Sequence, residues 1–199
     1  MERSAPIHTA DPFDSRQFRS AVGRFATGVT VITTEQQGTI HGMTANAFMS
    51  VSLAPPLIVV SVDNRARMSE HLLEGSLFGV SVLGEDQESL SGHFAGRPVE
   101  GLSIEFVQAN EIPVINGALA HLVAQVVDIH GAGDHSLYIG QVEYLAWCEG
   151  RPLLFFGGQY RHLTPVQLGL PPLREDEFSL FSIGEFHKLV PKDSGGTQT

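Results

Sequence analysis

The 199-residue chain reads as a mainly β protein, an antiparallel barrel with a few short helices. Three observations predict this. Short runs of β-branched and aromatic residues recur along the chain, each bounded by glycine or proline. Two long apolar runs, 118–130 and 135–147, are separated by Gly131-Ala132-Gly133-Asp134, a composition suited to a four-residue hairpin loop. No G-x-G-x-x-G, G-x-x-x-x-G-K-[ST] or G-x-S-x-G motif occurs, which removes the nucleotide fingerprints and hydrolase elbow of the common α/β folds.

The elements follow in order. Residues 1–13 are polar and read as a flexible N-terminus. Asp14 is placed as an N-cap, with Gln17 three residues on in capping-box position. Phe18, Ala21, Val22 and Phe25 then keep helical spacing up to Gly28, which would end the helix. Val29–Thr34 is β-branched throughout and predicts a strand. Gln37-Gly38 predicts a turn, and Ile40–Phe48 the return strand. Pro55-Pro56 breaks the chain before a third strand, Leu57–Val62. A short helix is expected over 67–74, a fourth strand over Leu77–Leu83 and a helix over Glu85–Phe94. Residues 96–117 carry Gly96, Pro98, Gly101, Pro113 and Gly117 and read as irregular.

The two long strands come next. Leu119, Leu122, Val123, Val126, Val127 and Ile129 break strict alternation, which predicts burial on both faces. Leu153–Phe156 is the last strand, running into Gly157-Gly158-Gln159-Tyr160. Beyond Leu163 the texture changes to prolines, an acidic 175–177 cluster and an apolar group of Phe178, Leu180, Phe181, Ile183 and Phe186. The domain organisation is thus an N-terminus 1–13, a domain 14–163 and a partly apolar C-terminal extension 164–199, expected to cover a second subunit or the mouth of the site.

Composition narrows the function classes. The net charge of −10, from 12 Lys+Arg against 22 Asp+Glu, argues against a nucleic-acid module. Both lysines, Lys188 and Lys192, lie near the C-terminal end, so residues 1–187 use arginine as their only permanent cation. A lysine Schiff base or P-loop lysine is excluded there. Charged residues make up 17% against a typical ~25%, so part of the surface is expected to be hidden in a core or against a partner. The single cysteine, Cys148, rules out an intramolecular disulfide framework and cysteine-based metal centres, and reads as a structural or surface thiol. No apolar run approaches the ~20 residues a membrane helix needs, and the N-terminus lacks a signal-peptide core. A cytoplasmic protein with no membrane partner is the expectation.

Three segments carry candidate chemistry. HGMTANAFMSVS (41–52) is rich in small and hydroxylic residues, with Gly42, Ala45 and Ala47 leaving room above the backbone. A flat heteroaromatic ring needs such a floor, and so does a strand packed closely against a helix. Asp63-Asn-Arg-Ala-Arg-Met-Ser69 follows a strand; Arg65, Arg67 and Ser69 either hold a phosphate or form a capped turn with solvated arginines. Asp128, His130, Asp134 and His135 flank a hairpin tip, where turn chemistry explains them without a metal.

The ordered segments RFATGVTVITT (24–34), GMTANAF (42–48), SVSLAPPL (50–57), FGVSVL (78–83), GDH (133–135), IGQV (139–142) and PLLFFGGQY (152–160) resemble the short-chain flavin reductases, reductase components of two-component flavin-dependent monooxygenases. The resemblance spans about residues 14–163. It implies a Greek-key-type split β-barrel homodimer in which NADH or NADPH reduces FMN or FAD, and the reduced flavin passes to a separate monooxygenase. It also implies that Gly42, Met43, Thr44, Ala45, Asn46 and Ala47 line the ring and ribityl chain. Ser61, Val62 and Asp63 would follow the flavin tail, Arg67 with Ser69 would meet the phosphate, and His93 with Phe94 would close the site. His135 would lie on the nicotinamide side as the catalytic residue, and Gly158, Gln159 and Tyr160 would touch the dinucleotide. Where this chain has Met68 the family often has a hydroxyl residue. Two alternatives keep the flavin bound: a split-barrel oxidase with its own small substrate, or a flavin-binding protein.

Overall fold

The computed structural model describes Thr9, Pro12 and residues 14–163; the expectations for 1–8 and for 164–199 lie outside the described residues. The described chain is mainly β, with two short α-helices and antiparallel sheets. Helix α1 (Ser15–Val22) has the predicted capping box: Gln17 N–H donates to Asp14 Oδ1 at 2.7 Å, and Asp14 N–H to Gln17 Oε1 at 2.9 Å. The helix stops five residues before the predicted Gly28. Gly23 is its C-cap, and Gly28 instead lies in β1 (Thr27–Gly28). Periodicity misled here because Phe25 lies beyond the helix and is 77% exposed.

Strands β2 (Thr30–Gln36) and β3 (Thr39–Ala45) are joined by Gln37-Gly38, both at positive φ. The predicted return strand ends early. The chain bends at Asn46-Ala47, and β4 (Phe48–Leu53) pairs with β5 (Pro56–Asp63) on the opposite edge of the sheet. A 3-10 turn (Arg67–Glu70) replaces the longer helix expected at 67–74. Strand β6 (Leu77–Val82) follows, and then α2 (Glu88–Phe94). The supposedly irregular 96–117 segment holds a hairpin, β7 (Phe106–Ala109) and β8 (Ile112–Ile115), turning at Asn110-Glu111 with φ of 45° and 68°. A turn with no glycine and a proline in the strand concealed it. Pro113 lacks an N–H, but its carbonyl accepts from Thr33 Oγ1. Strands β9 (Ala120–Ala132) and β10 (His135–Trp147) meet in a two-residue turn, Gly133-Asp134, tighter than the four residues expected. The chain closes with β11 (Leu154–Phe156) and β12 (Gln159–Arg161).

Seven strands form one sheet in the order β3-β2-β6-β9-β10-β5-β4. Its two edge strands are consecutive in the chain. A flat seven-stranded sheet would hold its edges about 29 Å apart, whereas the link from Ala45 to Phe48 can span only about 11 Å. The sheet therefore curls until its edges meet at that corner. Ile32, Val60, Val62, Phe78, Val80, Val126 and Tyr138 form the enclosed core, with Met68 and Leu72 from the 3-10 segment. A second core packs Val29, Val31, Leu83, Ile115 and Leu153 against Leu90, Phe94, Phe155 and Tyr160. Between the two cores, Thr30–Thr34 are all buried, and Thr30 Oγ1 is satisfied by the Ala45 carbonyl at 2.7 Å.

The expectation that 118–147 is buried on both faces holds only in part. Val123, Ala124 and Val126 are buried, but β9 is exposed from Val127 onward, and Leu145 and Trp147 of β10 are open to solvent. Met49, Val51 and Leu53 of β4 are also exposed.

Gly140 marks a point of close packing inside the curled sheet. A Cβ there would stand 2.7 Å from Phe78 Cζ and 2.9 Å from Ala124 Cβ, and both residues are fully buried. Gly140→Ala is expected to lower stability by about 1–3 kcal/mol through overpacking. Gly131→Ala, whose Cβ would meet nothing within 4 Å, should be nearly neutral. Urea midpoints of the two variants check this, and equal midpoints would contradict the packing account.

Candidate functional site

The bend at Asn46-Ala47 organises the site. Ser61 N–H donates to the Ala47 carbonyl at 3.0 Å, tying the end of β3 to β5. β3 is an edge strand, so no strand among the described residues pairs with its outer side. Alternation divides its side chains. Met43 and Ala45 pack on the enclosed core, while Gly42 and Thr44 face α2.

The room expected above Gly42 is already filled. A Cβ at Gly42 would stand 2.6 Å from Phe94 Cδ1, so the glycine exists to admit that ring. Ala45 is buried, and of the three small residues only Ala47 is exposed, beside exposed Asn46. Thr44 Oγ1 donates to the Ser91 carbonyl at 2.7 Å, and Ser91 Oγ shares a 2.7 Å hydrogen bond with the Tyr160 hydroxyl. Gly42, Thr44, Phe94 and Tyr160 are thus brought together on one side of β3. His93 lies edge-on to Phe94 and its Nδ1 accepts from Val99 N–H at 3.3 Å. Gly158 and Gln159 are exposed on the β11–β12 turn.

β5 alternates strictly. Ile58, Val60 and Val62 point into the core, while Ser61 and Asp63 point outward. Val62 is 1% exposed and can offer a ligand only its backbone. Arg65 forks onto Asp63, with Nη2 to Oδ2 at 2.7 Å and Nε to Oδ1 at 3.0 Å, and its main-chain N–H adds a third bond at 2.9 Å. The guanidinium offered by sequence as a phosphate contact is therefore already engaged. Arg67 is exposed and makes no ion pair among the described residues, so it is the free cation of this turn. Ser69 donates its hydroxyl to the Ala66 carbonyl at 2.7 Å, and Met68 is a core residue.

His135 stands opposite Asp63 across β5 and β10. Its Nδ1 lies 2.8 Å from Asp134 Oδ1, a contact that holds the proton on Nδ1 and leaves Nε2 for a ligand. Asn64 joins the same cluster, its N–H donating to the Asp134 carbonyl at 3.0 Å and its Oδ1 accepting from Ser136 Oγ at 2.8 Å. The four hairpin residues divide into two pairs, since Asp128 binds His130 at 2.9 Å. Among the described residues no three His, Cys, Asp or Glu side chains stand close enough to hold a metal ion.

The site thus joins a free strand edge, exposed Asn46 and Ala47 at a corner, one arginine without an ion pair among the described residues and one oriented histidine. An anionic ligand with a flat polar-edged ring would suit that set, since exposed main-chain groups can bond a ring edge and a free guanidinium a phosphate. Sequence reasoning passed over Arg16 and Arg19 of α1 and, as a ligand contact, Arg24. With Ser20, Gly157 and Gly158 they line a cavity of about 380 Å3. The regular Arg16–Arg19 spacing was visible, but nothing in the sequence set α1 against the distant Gly157-Gly158 turn.

Electrostatics at the Asp63 fork has a definite sign. Hydrogen bonds from the Arg65 side chain, then from its main-chain N–H, hold the Asp63 carboxyl far below its ordinary 3.8. Asp134 is lowered too, chiefly by its hydrogen bond to His135. With the folded value below the unfolded one, ionised Asp63 contributes stability fully above pH 3.8 and loses it as pH falls through the folded value. An NMR titration should place the Asp63 carboxyl midpoint well below 3.8, and Arg65→Gln should return it toward that value. A wild-type midpoint at the ordinary value would refute the fork.

Comparison with known proteins identifies the family. Residues 22–164 match the family model described as a flavin reductase like domain. The chain is 49% identical over 148 residues to an NADH-dependent flavin reductase from Rhodococcus sp, covering 73% of this chain and 84% of that protein. It is 42% identical over 148 residues to the reductase component of 4-hydroxyphenylacetate 3-monooxygenase from Thermus thermophilus, covering 74% of this chain and 95% of that one. Among solved structures, the NADH:FAD oxidoreductase of Streptomyces globisporus superposes with a TM-score of 0.75 at 38% identity, over 81% of this chain and 99% of its own. With the match running through β3, β5, the 3-10 turn and the β9–β10 hairpin that build the site, this chain belongs to the flavin reductase-like family.

Proposed function

We propose that the protein is an NADH-dependent flavin reductase, with residues 14–163 as its catalytic domain, that reduces free FMN or FAD and supplies it to a separate flavin-dependent monooxygenase. The observation that carries this reading is the relationship itself: relatives matched across the site-building strands are named as NADH-dependent flavin reductases and monooxygenase reductase components. We further read the curled sheet as a split β-barrel, its edges joined at Asn46-Ala47. The exposed apolar residues of β4 and β10, with Leu53 at 80% and Trp147 at 75%, support a homodimer that buries them. A cytoplasmic location fits a single exposed thiol and a diffusible dinucleotide reductant.

Bound flavin supplies the hydride-accepting chemistry, so the protein's task is placement. Asn46, Ala47 and the backbone of 42–47 form the seat for the ring, with Ser61 and Asp63 along the tail. Arg67 meets the phosphate, helped by Ser69 if its hydroxyl turns from Ala66. Phe94, wedged on Gly42, and His93 bound the site on the α2 side. His135, its proton held on Nδ1 by Asp134, would present Nε2 as an acceptor on the nicotinamide side, where it would orient the carboxamide N–H. Tyr160 and the Gly158-Gln159 turn lie on the side assigned to the dinucleotide. Stacking two rings at near-attack distance needs no acid–base dyad, and among the residues assigned here His135 is the titratable side chain on the nicotinamide side.

The test is NADH oxidation by purified protein with and without added flavin. Turnover should rise with free flavin and saturate. Arg67→Ala should raise the KM for FMN about tenfold, the scale of one charge-assisted hydrogen bond, with little change in kcat. Tight yellow colour without NADH oxidation would refute the reductase reading, and an unchanged flavin KM in the variant would refute the phosphate assignment.

A further inference from the structure

The cavity between α1 and the β11–β12 turn is lined by none of the residues assigned above to the flavin, and it shares only Gly158 with the turn assigned to the dinucleotide. Arg16, Arg19 and Ser20 sit on one face of α1, and Arg24 follows its C-cap. The opposite wall is Gly157-Gly158, where backbone at φ of 60° and 79° presents no side chain, and a Cβ on either would meet nothing within 4 Å. The walls are tied together by Gly157 N–H donating to the Gly23 carbonyl at 2.8 Å. The cavity is a half-open concavity at the surface with one wall bare of side chains.

Its charge is the second observation. Arg65 and Arg151 are paired with Asp63 and Glu85, but no carboxylate among the described residues pairs with Arg16, Arg19 or Arg24. Cations three residues apart on a helix repel, so this grouping costs stability unless something anionic offsets it. In a chain of net charge −10 the cluster is a local reversal of sign. Guanidinium groups match phosphate oxygens in paired geometry, and a diphosphate offers enough oxygens for three of them. A volume of about 380 Å3 admits a diphosphate and part of a nucleoside. Two residues beyond Gly158, the Tyr160 hydroxyl bonds Ser91, whose carbonyl accepts from Thr44, so the β11–β12 turn is tied through α2 to the strand assigned to the ring.

We propose that this arginine-lined cavity binds the diphosphate group of a dinucleotide substrate. The proposal rests on the reductase reading, in which NADH always carries such a group and the acceptor carries one when it is FAD and none when it is FMN.

The full-length chain is compared with Arg16→Gln/Arg19→Gln and with Arg24→Gln, all exposed positions, in NADH oxidation with FMN and with FAD. The KM for the diphosphate-bearing substrate should rise about tenfold per arginine lost, and its increase with salt should flatten. kcat at saturation should stay within about twofold, since the cavity holds substrate rather than reacting atoms. A raised NADH KM with both acceptors assigns the site to NADH; a raised FAD KM with FMN and NADH unaffected assigns it to FAD. Unchanged KM for NADH and FAD in active variants overturns the proposal. Calorimetric titration with inorganic diphosphate tests the site apart from turnover. Binding to wild type that is lost in both variants supports the site even if the wild type proves not to be a reductase. No binding to wild type at low salt overturns it.

Discussion

The link of two residues, Asn46 and Ala47, between the edge strands of the seven-stranded sheet is the constraint on which the rest depends. Adjacent in sequence but at opposite ends of the strand order, β3 and β4 can both be paired only if the sheet curls through the distance between them. Curling encloses the core of Ile32, Val60, Phe78 and Val126 and holds a β3 edge without a strand partner beside the end of β5. It also brings the 3-10 turn under β3, where His41 stacks on His71 with ring centroids 4.1 Å apart. The candidate site is thus a consequence of this curling: a strand edge unpaired among the described residues, a corner and a turn that curvature places together.

Charge is organised locally against a strongly acidic background. Arg65 is neutralised by Asp63 and Arg151 by Glu85, each in an exposed pair that adds little to stability by itself. The Asp63–Arg65 fork matters for what it leaves: with one guanidinium engaged, Arg67 is the cation of that turn free for an anion. Along α1 the same logic leaves three arginines unmatched among the described residues. Two separated positive patches on a negative chain suit a reaction between two anionic substrates, because each can be drawn to its own place without a basic surface that attracts nucleic acid.

Much of the fold was legible. The capping box at Asp14, the Gln37-Gly38 turn, and strands β2, β5, β6, β9 and β10 all carry signals of local backbone preference. What escaped was set by distant contacts. The β7–β8 hairpin turns without glycine and contains Pro113, tolerated because its carbonyl serves Thr33. The β3–β4 bend looks like one continuous strand because neither Asn46 nor Ala47 breaks a strand strongly. Candidate residues were legible as types, and their side-chain directions were not. Val62, Met43 and Ala45 proved to face the core, and the apparent space above Gly42 belongs to Phe94, a residue fifty positions away.

The sequence by itself determined an antiparallel β body with arginine as its only permanent cation before residue 188, and it named the segments that make up the candidate site. Those properties reside in composition, alternation and turn chemistry, which act over a few residues. Tertiary structure alone decided which arginine is free of an ion pair among the described residues, which nitrogen of His135 Asp134 engages, which glycine is filled by a ring, and that α1 meets the Gly157-Gly158 turn across a cavity. Each depends on groups far apart in the chain being held within a few ångströms, and only the packed and curled sheet supplies that proximity.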